Sequence, residues 1–191
     1  MRNADFFFVT SSDGSRLAAE RAGPASGQGV ILIHGVLHSR LIWKKQFADP
    51  ALDTLRLMAF DVRGHGDSEK PVAREAYDAP RYADDLAAVI EASGFAKPIV
   101  VGWSLGSRVM FSYLAAHGAA KLGGLMIVGA RMKTDNVRVN SNDALDASLS
   151  DDLNRRIPGR TEFVRVCHEV APSPDDLREI VAAAMVMPPQ V

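Results

Sequence analysis

The segment Gly102-Trp103-Ser104-Leu105-Gly106 sets a serine between two glycines at G-x-S-x-G spacing, after the apolar run Ile99-Val100-Val101 and before the helical pattern Leu105 to His117. A serine in that context is a candidate nucleophile for acyl chemistry. A sharp strand-to-helix turn forces strained backbone angles on the serine, and glycines two positions to either side let neighbouring backbone pass. The helix after it aims N–H groups and a positive dipole end at the reacting centre, where an oxyanion would develop. So short a pattern also arises as a capping serine in a glycine-rich turn. The strand before it and the helix after it select the nucleophile reading.

A second candidate is His34-Gly35, at the end of the apolar run Val30-Ile31-Leu32-Ile33. The loop there offers a further main-chain N–H, that of Val36, to the same oxyanion, and the N–H of Leu105 would be the other donor. His34, Gly35 and Trp103 are candidates for the wall of the substrate pocket, with bracing of the loop as the plainer role for His34. A third cluster, Asp61-Val62-Arg63-Gly64-His65-Gly66-Asp67-Ser68, is dense in turn formers and charge. Its reading is architectural: Asp61 and Arg63 can pair, and Asp67 or Ser68 can cap the next stretch of chain. His65 belongs to that turn more readily than to a base. Of the histidines after Ser104, His117 lies about a dozen residues along the helix, and so about 18 Å away. His168, beside Glu169, could approach from above or could simply pack.

These residues need elements that hold them. Asp5 to Thr10 and Arg16 to Arg21 flank Ser11-Ser12-Asp13-Gly14 and read as an antiparallel hairpin at a sheet edge. Val30 to Ile33, Leu55 to Phe60, Ile99 to Val101 and Leu125 to Val128 are continuous apolar runs, as expected of parallel strands buried on both faces. Helical stretches alternate with them, the clearest being Arg81 to Ala92, with Tyr82, Leu86, Val89 and Ile90 on one face and Gly94 as terminator. The fold class is α/β, a doubly wound, mostly parallel sheet with its sites at the carboxyl ends of the strands. From Arg131 the strand runs cease and polar helical segments take over. Residues 1–130 therefore read as the core and 131–191 as a partial helical cap or lid. Ser173-Pro174-Asp175-Asp176 starts a cap helix whose apolar stripe is Leu177, Ile180, Val181 and Ala184, with Met185 and Met187 beyond.

The 22 basic and 23 acidic residues leave no surplus charge to track a nucleic-acid backbone or an anionic membrane, so a small-molecule partner is expected. The single cysteine, Cys167, forms no internal disulfide and fits a cytoplasmic, reducing compartment. Phe6 to Val9 is too short a run for a membrane span or signal core. Neither metal-ligand spacing nor a nucleotide-binding glycine loop stands after any strand, so no metal and no cofactor is expected.

Taken in order, Val30 to Gly35, Asp61 to Ser68 and Gly102 to Gly106 resemble the α/β-hydrolase superfamily over about residues 5 to 130. The resemblance implies Ser104 as nucleophile and the N–H groups of Val36 and Leu105 as the oxyanion hole. Ser107 departs from the second glycine common in that family. The family also places an acid after a later strand and a histidine after a still later one. Nothing beyond Val128 reads as such a strand, so the chain is expected to be truncated at its C-terminus and to lack the last core strands. Asp135 is an alternative position for the acid and His168 for the base.

Three readings compete. One is a serine hydrolase of an ester or related acyl bond, impaired in this chain. Another is a non-catalytic binding protein that keeps the pocket. The third is a cofactor-free haloperoxidase-like or C–C-cleaving enzyme. Phe163, Val181, Met185 and Met187 would suit an apolar acyl or ring moiety, and would equally serve to bury the cap's own face. An unpaired apolar sheet edge is expected to promote self-association.

Overall fold

The computed structural model describes residues 4–129, 143–189 and 191. The hairpin β1 (Asp5–Thr10) and β2 (Arg16–Ala22) forms where expected, reversing at Gly14 with φ 88°. The apolar runs become β3 (Gly29–Ile33), β4 (Arg56–Phe60), β5 (Ile99–Trp103) and β6 (Gly124–Val128). All six lie in one sheet in the order β1-β2-β4-β3-β5-β6. The pairs β3–β4, β3–β5 and β5–β6 are parallel, and the hairpin adds its strands antiparallel at one edge.

Side chains alternate across each strand, and both faces are covered. Ile31, Ile33, Met58, Phe60 and Val100 pack under α2 (Ala79–Ser93) and α3 (Leu105–His117), against Leu86, Val89, Val109 and Met110. Val30, Leu32, Leu57, Ala59 and Val101 face the opposite way, toward Trp43 and Phe47 around α1 (Lys44–Ala48). The expected face of α2 is the buried one, and Gly94 ends that helix with φ 65°.

One strand departs from expectation. Leu125, Met126, Ile127 and Val128 are 37–57% exposed, because among the described residues β6 is the last strand of the sheet and pairs with β5 alone. The apolar run implied burial on both faces; β6 instead matches the expectation of an unpaired apolar sheet edge, among the described residues.

Beyond the sheet, α4 (Asp143–Ser148), α5 (Leu153–Val166) and α6 (Pro174–Met185) pack on one another. Ser173 caps α6 by accepting the N–H of Asp176. Phe163, Val164, Ala184 and Met187 close over Leu37 in the loop after β3, so the helices form a layer above the strand ends. Between them Arg160, 2% exposed, donates to the carbonyls of Ser148, Ala184 and Met185, which lie at or beside the ends of α4 and α6. Lys44 reaches Asp176 and Glu179 at 2.5 Å, linking α1 to α6. The expected core–cap boundary at residues 130 and 131 lies outside the described residues. No described helix is long and apolar enough to cross a membrane.

Candidate active site

The chain leaves β3 toward β4 on one side and returns across it to β5 on the other, so the carboxyl ends of β3 and β5 adjoin at a topological switch point. Ile33 stands opposite Gly102 in the register. The residues after each of them therefore leave the sheet side by side: His34, Gly35 and Val36 from one strand, Trp103 and Ser104 from the other.

Ser104 has φ 50° and ψ −108°, a conformation that costs an L-residue about 1–3 kcal/mol. Packing explains why the turn cannot relax. A methyl group on Gly106 would lie 2.5 Å from the carbonyl oxygen of Ile33, and one on Gly102 would lie 2.7 Å from the main chain of Gly106. Helix α3 thus starts in direct contact with β3, which the two glycines alone permit. The N–H of Ser104 donates to the carbonyl of Val128 at 2.9 Å. Ser107, which departs from the second glycine common in the family it resembles, is 1% exposed and donates to the carbonyl of Gly102 at 2.7 Å, so its hydroxyl reinforces the turn.

Beside Ser104 lies a cavity of about 190 Å³, lined by Gly35, Val36, Trp103, Gly129, Phe163 and Cys167. The structure therefore brings together Ser104, Val36, Gly35 and Trp103 among the residues singled out from sequence. Leu105 is the first residue of α3, where a helix leaves its N–H groups without intrahelical partners. Its side chain packs against the core.

His34 is not in that wall, which corrects its place among the pocket candidates. It is completely buried, accepting the N–H of Val62 at Nε2 and bonding the carbonyl of Gly35 through Nδ1 at 2.7 Å. Burial holds it neutral, pushed down to about 3. His65, edge-on to His34 with ring centres 5.0 Å apart, is likewise buried and pushed down to about 3. Asp61 and Arg63, which could pair with each other, take other partners. Asp61 accepts from Arg40 at 2.5 Å and from the N–H of Asp67, while Arg63 makes a two-pronged bond to Asp85 of α2 at 2.6 Å. Partners from distant elements compete better than a neighbour two positions away. Ser68 bonds the carbonyl of Asp61 and the N–H of Ala18, tying the turn to β2.

His117 sits at the far end of α3, 3.7 Å from Asp84. His168 bonds the carbonyl of Val164 and lines a separate cavity of about 140 Å³ with Lys44, Gln46 and Asp176. Between His168 and Trp103 stands a histidine that carries no sequence signal, His38. It is fully buried, with ring centres 4.5 Å from Trp103 and 6.0 Å from His168. A lone histidine in a loop belongs to no period or motif, so only the fold reveals its position. Asp135 lies outside the described residues. No described histidine or carboxylate lines the Ser104 cavity.

The pattern of the alpha/beta hydrolase fold family matches residues 29–162. A crystal structure of a Burkholderia cenocepacia protein, provisionally named an aryl esterase, is 37% identical with a TM-score of 0.91, covering 97% of this chain and 69% of that one. An esterase from Rhodococcus sp. ECU1013 is 26% identical with a TM-score of 0.81, covering 97% of this chain and 70% of that one. Among curated proteins, a bifunctional esterase/perhydrolase of Acinetobacter calcoaceticus is 30% identical over 87% of this chain and 59% of its own length. A non-heme haloperoxidase of Rhodococcus erythropolis is 33% identical over 64% of this chain and 43% of its own. The chain belongs to the α/β-hydrolase fold family. It spans 39–59% of the length of the first curated relatives it matches.

Proposed function

We propose that the protein hydrolyses an ester or related acyl bond of a small molecule, with Ser104 as nucleophile and the N–H groups of Val36 and Leu105 as oxyanion donors. The observation that carries this reading is the strained backbone of Ser104 at the start of α3, beside a cavity that Val36 also lines. In the reaction the Ser104 hydroxyl gives its proton to a base as its oxygen bonds to the carbonyl carbon, the carbonyl oxygen takes the negative charge, and collapse expels the alcohol, which takes that proton from the base. Water then releases the acid and restores the serine. Helices α4 to α6 serve as the cap, with Phe163 supplying an apolar wall for an acyl or ring group. The balance of charge and the lone Cys167 favour a cytoplasmic setting.

The same reading holds that the described residues are a poor catalyst by themselves. Losing the nucleophile or its histidine costs a well-studied serine protease about 10⁶ in turnover, and no described base lines this cavity. The base therefore comes from outside the described residues or from a second polypeptide. That gap also supports a second reading, a binding protein that keeps the pocket without the reaction.

An alkyl fluorophosphonate separates the two. The serine oxygen bonds to phosphorus, fluoride leaves, and the serine proton passes to solvent. The expected result is slow adduct formation above background, mapped by mass spectrometry to Ser104 and absent from Ser104→Ala. Equal labelling of the two proteins would sink the catalytic reading and favour the binding one.

A further inference from the structure

The cavity lined by His168 is separate from the one beside Ser104, and the two share no lining residue. Trp103 lines one and His168 the other, with the buried ring of His38 between them, its centre 4.5 Å from that of Trp103 and 6.0 Å from that of His168. Cys167 and His168, consecutive in the chain, likewise line different cavities.

The second cavity measures about 140 Å³, whereas a single water needs only about 10–15 Å³ of such space. Leu41 and Ile42 of the 3₁₀ turn Arg40–Trp43, Pro172 just before α6 and Ile180 within it give the space aliphatic walls. Room for several non-hydrogen atoms against such walls fits a small, largely apolar molecule.

The polar groups of the lining say what else that molecule carries. Gln46 reaches the cavity from α1, and its Oε1 is buried with no hydrogen-bond partner among the described residues. A bare buried acceptor costs stability unless something donates to it. His168 bonds the carbonyl of Val164 through Nδ1 at 2.9 Å, and a carbonyl only accepts, so in the neutral ring Nε2 is left as a further acceptor. An occupant with a hydrogen to donate therefore fits, and one that only accepts does not. Charge is balanced nearby. Lys44 lies 2.5 Å from both Asp176 and Glu179, and Lys45 is exposed. An ammonium would meet two lysines and a carboxylate would meet two acidic side chains, so neither sign of charge recovers the cost of leaving water.

We propose that this cavity binds a small neutral alcohol, with its alkyl or ring part against Leu41, Ile42 and Ile180 and its hydroxyl donating to Oε1 of Gln46. The site stands on the cavity and its lining, independently of the nucleophile reading of Ser104.

The test titrates the methyl-labelled protein with four six-membered-ring probes: cyclohexanol, cyclohexanone, cyclohexylammonium and cyclohexanecarboxylate. The NMR signals of the Ile42, Ile180 and Val36 methyl groups report where each probe binds. Cyclohexanol is expected to shift Ile42 and Ile180 saturably, with a Kd of about 1 mM, and to leave Val36 in place. Cyclohexanone, which accepts but cannot donate, and the two charged probes are expected to bind about tenfold more weakly or worse. Gln46→Leu is expected to weaken cyclohexanol about tenfold and cyclohexanone not at all. A cavity that holds water only gives no saturable shift, and that result overturns the proposal. Shifts centred on Val36 overturn it too, since they put the alcohol beside Ser104. So does any of the other three probes binding as tightly as cyclohexanol, or an unchanged cyclohexanol affinity in Gln46→Leu. The series on wild type is decisive even if the variant fails to fold.

Discussion

His34, His38 and His65 are fully buried, neutral rings around the loops that carry the site. Burial depresses all three, to about 3, about 4 and about 3. The unfolded chain binds a proton at each near pH 6.5, whereas the folded chain refuses it until the pH nears those lower values. Stability contributed by these groups is therefore complete above about pH 6.5 and is lost as the pH falls from there toward 4. Three protons taken up on unfolding correspond to a slope approaching 4 kcal/mol per pH unit. Urea midpoints measured from pH 7.5 down to 5 should fall steeply, and His38→Asn should reduce the slope by one proton. A flat profile would show that the rings are solvated or charged in the folded state. What the sequence disclosed at this scale was uneven. Ser104 was legible because glycine spacing, strand and helix all constrain the same turn. The partners of Asp61 and Arg63 were not, because Arg40 and Asp85 arrive from elements 21 and 22 residues away and only the fold brings them together.

Elements were easier to read than their surroundings. A strand buried on both faces announces itself by an unbroken apolar run, and β3, β4 and β5 behaved accordingly. Helix α6 announced both its cap and its stripe. The tie between α4, α5 and α6 was hidden, since Arg160 stands in a stretch that otherwise reads as polar surface. Its buried guanidinium meets three main-chain carbonyls and no described carboxylate, so the partial negative charge at the ends of α4 and α6 takes the place of an anion. Burial without an anion pushes it down to about 10, still charged at neutral pH. Replacing Arg160 by Ala should strand those carbonyls and leave a cavity, costing about 2–4 kcal/mol among α4, α5 and α6. Hydrogen exchange is the direct check. Amides of α4, α5 and α6 should exchange faster, while those of α2 and α3 keep their protection; uniform change across all five helices would mean that Arg160 supports the whole fold.

At the scale of the molecule, the sheet is well closed on one side and open on the other. The hairpin β1–β2 ends one edge, where Arg16 lies over the ring of Phe8 and Arg40 over that of Phe6. The opposite edge is β6, whose residues Gly124 to Val128 carry no charge to discourage another strand. Copies of the protein are expected to associate through it in a concentration-dependent way. Sedimentation velocity should show the associated fraction fall in Met126→Lys, whose side chain is 57% exposed and so tolerates the change. Equal association in both proteins would place the contact elsewhere.

That edge is also closer to the chemistry than its position suggests. The last carbonyl of β6, on Val128, accepts the N–H of Ser104, so a single bond couples the border of the sheet to the backbone of the proposed nucleophile. An occupant of β6 is therefore expected to change the rate at which Ser104 takes up the fluorophosphonate, and an unchanged rate on association would show that the bond transmits nothing.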